Sequence, residues 1–136
     1  MAYRYRDVVK NGYFELTHSN VQTPPEHQLE SSSGLVTGRS NPGIVYICQG
    51  QGFRSHHPQS HPAELYVYDK KAVYQGKIIV EGSDNVNWQD LAIGPGPVEG
   101  VNYIYIGDIG DKDTSRPSLT IYRIPEPDLG GLQKPF

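Results

Sequence analysis

Carboxylate side chains that could do chemistry are concentrated in two short stretches of this 136-residue sequence. Asp90 precedes one apolar run, and Asp108 and Asp111 follow another within a Gly-Asp-Ile-Gly-Asp segment. Crowded carboxylates repel one another unless a cation or hydrogen-bond donors offset their charge. If the fold brings these three together, they are predicted to form a hard oxygen site for calcium. The alternative is a turn in which the Asp side chains cap their own backbone.

Three further features have both a functional and a structural interpretation. Trp88 offers a flat surface for a ligand, although a Trp before a buried strand is more often part of the core. Arg116 either binds an anionic ligand or forms a structural ion pair with the Asp group. Three histidines resemble metal-ligand spacing, but neighbouring prolines exclude the helix that would align them, so a solvated loop is favoured: His56, His57 and His61.

Composition and motifs exclude several function classes. The sequence has no signature of nucleophilic catalysis, of a zinc protease or of a phosphate-binding loop. The net charge of -3 gives no basic surface, so no nucleic acid partner is expected. The first residues lack the apolar core of a signal peptide, and no apolar run is long enough to cross a bilayer, which predicts a soluble chain without a membrane partner. The single cysteine, Cys48, excludes an intrachain disulfide and leaves the compartment open.

The segments that must position these residues are short, rich in Val, Ile and Tyr, and bounded by turn formers. No window has a sustained helical period, so we predict an all-β fold of antiparallel strands. Asn11-Gly12 predicts a type I′ hairpin turn within residues 7–16, before a polar loop that extends to residue 32. Seven further strands are predicted near residues 34–38, 44–49, 64–69, 77–81, 90–94, 102–107 and 118–124.

Three of these segments recur in the same order along the chain. The paired stretches are 33–36 with 89–92, 44–47 with 103–106, and 65–68 with 119–122, and 77–80 supplies a fourth strand to the first unit. Four antiparallel strands in a repeated unit are typical of a β-propeller blade. A small complete β-sandwich would explain the number of strands but not the ordered repeat.

The repeat predicts the following organisation: an N-terminal hairpin and loop at 1–32, a first blade at 33–82, a second blade without its outer strand at 83–127, and a tail at 128–136. Within a blade, the start of the first strand lies beside the end of the second, which places residues 84–90 beside 107–113. A propeller closes with about four to eight blades. The expected partners are therefore the remaining blades of the same propeller or other copies of the chain. The isolated chain is expected to self-associate or to be poorly folded.

Several spaced motifs resemble a β-propeller family that is widespread in bacteria. Residues 87–96, 103–111 and 121–127, with Arg116, resemble the family's stretches that carry the motifs DWEDIA, DIGDN and IYRVPEP. Ser33-Gly34-Leu35, with Arg39, Asn41-Pro42-Gly43 and residues 44–47, resembles its first blade. The match covers roughly residues 30 to 127, and its specificity comes from the order of the motifs. The family is distantly similar to six-bladed gluconolactonase-like and esterase-like propellers, which hold a divalent cation in a central channel. The resemblance therefore implies a calcium cofactor and, at its furthest, hydrolysis of lactones or esters.

The sequence departs from the family where the cation would bind. Asn87 and Gln89 replace the two acids that flank Trp88, Lys112 replaces the amide after Asp111, and residues 48–52 replace an acidic motif. These changes favour a non-catalytic propeller segment that serves in ligand binding, protein binding or assembly, with at most a weak calcium site. The alternative is a fragment of a metal-dependent lactonase or esterase-like hydrolase.

Overall fold

A computed structural model describes residues 2–7, 14–15, 29, 31–50 and 62–130, with only the backbone described at 2–7 and 14–15. These residues form strands and connecting turns, with no helix among them, which confirms the all-β prediction. The strands, in chain order, are β1 (Ala2–Asp7), β2 (Phe14–Glu15), β3 (Ser32–Thr37), β4 (Ile44–Gln49), β5 (Glu64–Asp69), β6 (Tyr74–Ile79), β7 (Trp88–Pro95), β8 (Asn102–Asp108) and β9 (Ser118–Pro125).

The first sheet has the strand order β2-β6-β5-β4-β3 and is antiparallel throughout. Four consecutive strands, β3 to β6, run as a meander, because each connection returns the chain beside the strand it has just left. In the turn after β5, Asp69 Oδ1 accepts hydrogen bonds from the backbone N–H of Lys71 and Val73 at 2.8 and 3.0 Å. This turn is tight, so β6 begins at Tyr74 instead of at the predicted residue 77.

The second sheet has the order β1-β9-β8-β7. Strands β7, β8 and β9 form an antiparallel meander, and β1 runs parallel to β9 at the edge. The sequence predicted a second unit without an outer strand. In the structure, β1 occupies that edge of the second sheet, beside β9. β1 and β2 belong to different sheets, and the predicted hairpin turn at Asn11-Gly12 lies outside the described residues.

The two sheets stack on each other where β3 and β4 pack against β7. Below, the first and second strands are β3 and β4 in the first sheet, and β7 and β8 in the second. A Cβ added to Gly34 on β3 would lie 2.7 Å from the Asp90 Cα on β7, so glycine is required for this approach of two backbones. Trp88 is fully buried at one end of β7. The shared core between the sheets is formed by Ile44, Tyr46, Cys48, Leu65, Val67, Ile78, Val80, Trp88, Leu91, Ile104, Ile106, Tyr122, Ile124 and Leu129.

Each sheet has one face in this core and one outer face. On β7, Leu91 points into the core and is 7% exposed, whereas Leu35, which the sequence pairs with it, lies on the outer face of the first sheet and is 59% exposed. On β9, Ile121 lies on the outer face of the second sheet and is 39% exposed. Because strand side chains alternate between faces, Val36 packs against the core beside the outward-facing Leu35. The face of the second sheet that carries Leu91 therefore lies in the core, whereas the corresponding face of the first sheet, which carries Leu35, points outward.

Candidate functional site

The predicted site lies where the first strand of each sheet begins and its second strand ends. Trp88 pairs with Asp108 in the second sheet, and Ser32 pairs with Gln49 in the first. The two ends adjoin, since Ser33 Oγ donates a hydrogen bond of 2.6 Å to the Trp88 carbonyl. We call residues 31–33, 48–50, 84–90 and 107–111 the rim.

Asp108 is a buried carboxylate that accepts hydrogen bonds from a backbone N–H and from an arginine side chain. Its Oδ1 accepts hydrogen bonds from the Asn87 backbone N–H at 2.7 Å and from Arg116 Nη1 at 3.0 Å. The same Nη1 lies 3.0 Å from the Asp108 carbonyl oxygen and 2.9 Å from that of Gly110. The Arg116 guanidinium offsets the negative charge of Asp108, a role that the sequence predicted for a bound cation. Of its two predicted interpretations, Arg116 therefore fits the structural ion pair.

The first sheet contains the same hydrogen-bond arrangement with an amide in place of the acid. Gln49 Oε1 accepts a hydrogen bond of 3.1 Å from the Ser31 backbone N–H, and the Gly50 N–H returns one of 3.0 Å to the Ser31 carbonyl. In the second sheet, Gly110 N–H likewise bonds the Asn87 carbonyl at 3.1 Å. An acceptor oxygen at the end of the second strand thus fixes the residue before the first strand in both sheets, and this role requires no negative charge.

The other two predicted ligands have separate local roles. Asp111 Oδ1 accepts the backbone N–H groups of Ser115 and Arg116 at 2.9 and 3.1 Å, which is the capping turn given above as the alternative. Asp90 is exposed, and its Oδ1 accepts the N–H of Leu91 at 2.8 Å. Within residues 31–50 and 62–130, no group of three or more His, Cys, Asp or Glu side chains is arranged to hold a metal ion. Calcium binding at Asp90, Asp108 and Asp111 stays a prediction.

The remaining candidates fall into structural roles or outside the described residues. Trp88 is a core residue: its ring centroid lies 6.1 Å from that of Tyr122, and its Nε1 donates to the Asp84 carbonyl at 3.0 Å. Burial raises the pKa of the Cys48 thiol, which opposes formation of a reactive thiolate. The three histidines at 56, 57 and 61 lie outside the described residues.

A second polar cluster, which the sequence analysis missed, joins the two sheets at the opposite end of β3. The buried Glu126 follows β9, and its Oε2 accepts the backbone N–H groups of Arg39 and Ser40 at 3.2 and 2.7 Å. Its Oε1 accepts from Asn41 N and Nδ2 at 3.2 and 3.1 Å and from the Tyr46 hydroxyl at 3.1 Å. Five donors from the first sheet thus converge on one carboxylate of the second, which we call the Glu126 cluster.

The electrostatics of this cluster follow from its burial and its donors. Burial by itself raises the pKa of Glu126, but the hydrogen bonds from Ser40, Asn41 and Tyr46 outweigh it and leave the pKa below its ordinary value. For Tyr46, burial and then the charge of Glu126 raise the pKa, so the hydroxyl stays protonated and donates. The charged carboxylate is therefore the stable form at neutral pH.

Two sequence features could have indicated this cluster. Glu126 stands between two prolines directly after a strand, and Asn41 begins an Asn-Pro-Gly turn in the other unit. Both belong to the motifs that carry the family resemblance, yet nothing in either motif alone shows that the two meet. Comparisons with protein-family models, with curated proteins and with solved structures find no match to this chain. The structure has no helix, across the residues it describes, that is long and apolar enough to span a membrane.

Proposed function

We propose that this chain forms two consecutive blades of a β-propeller and serves in binding or assembly instead of catalysis. Two similarities between the sheets support the repeat. Their first strands carry a β-bulge at the same point, between Ser32 and Gly34 and between Trp88 and Asp90. The rim hydrogen bonds of Gln49 and Asp108 also occupy the same place at the ends of β4 and β8.

The observation that carries the proposal is the stacking of non-equivalent faces. Leu91 contributes to the core between the sheets, whereas its partner in the repeat, Leu35, is 59% exposed on the outer face. Units that stack in this way can accept a further unit on each side, as propeller blades do. Leu35 and Ile121 leave apolar side chains exposed on the outer faces, which fits a role in binding or assembly.

The rim gives less support to the alternative of a lactonase or esterase-like hydrolase. Gln89 Nε2 donates to Asn87 Oδ1 at 2.6 Å, so the two positions that would hold acids in the family are amides bonded to each other. Asp108 is already neutralised by Arg116 at 3.0 Å. An electrophilic cation would have few charged ligands at this position, and its affinity would be weak.

A turnover assay tests the proposed function directly. The 136-residue chain is incubated with aliphatic lactones and aryl esters, with calcium and with chelator, beside an Asp108→Asn variant. We expect no turnover above the buffer rate under any condition. Calcium-dependent hydrolysis that Asp108→Asn abolishes would establish the hydrolase instead.

A further inference from the structure

We draw no further inference here: the strongest candidate, the side-chain cluster around Arg116 at the end of β8, in which the Asp108 carboxylate and the carbonyl oxygens of Asp108 and Gly110 converge on one guanidinium nitrogen, belongs to the site already described.

Discussion

The Glu126 cluster is predicted to hold the two sheets together, and Glu126→Gln tests this with the smallest change in shape. The glutamine keeps one carbonyl oxygen, which satisfies the donors of Asn41 and Tyr46 when it replaces Oε1. Its amide nitrogen then faces the backbone N–H groups of Arg39 and Ser40, which lose their acceptor. At Ser40, whose 2.7 Å hydrogen bond to Glu126 is the shortest of the cluster, the backbone N–H then faces the N–H of the new amide.

The size of the effect follows from those two lost bonds. A hydrogen bond to a charged acceptor contributes about 1.5 to 3 kcal/mol, and two of them would give about 3 to 6 kcal/mol if both donors were left dry. Arg39 and Ser40 are exposed residues, so water can replace part of the loss. We expect the free energy of unfolding to fall by about 2 to 4 kcal/mol.

Urea unfolding at one fixed protein concentration measures this change. With a slope of roughly 2 kcal/mol per M, the midpoint should fall by about 1 to 2 M. Glu81→Gln, at an exposed carboxylate, is the matched control and should leave the midpoint within error of wild type. Equal midpoints for Glu126→Gln and Glu81→Gln would refute the stabilising role of the cluster.

The pH dependence gives an independent measurement of the same carboxylate. The pKa of Glu126 in the folded chain is below its ordinary value of 4.5, so the unfolded chain takes up the proton first as the pH falls. The stabilisation is fully present above pH 4.5 and is lost as the pH falls through the folded-state pKa. Wild type should therefore lose more stability in this acid range than Glu126→Gln does. Parallel pH profiles would show that another group titrates.

Two further predictions concern the contact between the sheets and the rim. Gly34→Ala should destabilise the fold by about 1 to 3 kcal/mol, because its Cβ meets the backbone of β7, whereas Gly94→Ala, measured at low concentration, should be neutral or slightly stabilising. In calorimetry, calcium should bind weakly and Asp108→Asn should reduce the signal, whereas His57→Ala should not; no heat at millimolar calcium would exclude the site.

The strands were predictable from local sequence because their signals are local. Alternating apolar residues and flanking turn formers located β4 and β5 at their observed bounds, 44–49 and 64–69. The N-terminal pairing was not predictable in the same way. β1 runs beside β9, a partner more than a hundred residues away in the chain, and no short-range pattern indicates a parallel pairing of that kind.

The candidate site was predictable in position but not in role. Blade topology placed residues 84–90 beside 107–113, and the pairing of Trp88 with Asp108 agrees with it. What the sequence could not show is which donors reach each carboxylate. Arg116 is eight residues from Asp108, and only the fold of the intervening loop brings its guanidinium to 3.0 Å. Charge crowding was inferred from spacing, whereas charge compensation depends on a loop conformation.

The Gly-Asp-Ile-Gly-Asp segment illustrates why a motif resemblance can indicate architecture better than chemistry. Its first Asp fixes the residue before β7, a role that Gln49 performs without charge in the first sheet, and its second Asp caps the loop that leads to Arg116. The first role recurs in both sheets, whereas the second belongs to the loop that follows β8. A sequence under selection for the fold alone would keep acceptor oxygens at these positions. The acids at 108 and 111 therefore have structural roles at the end of β8 and in the loop that follows it, and a catalytic role needs evidence from turnover.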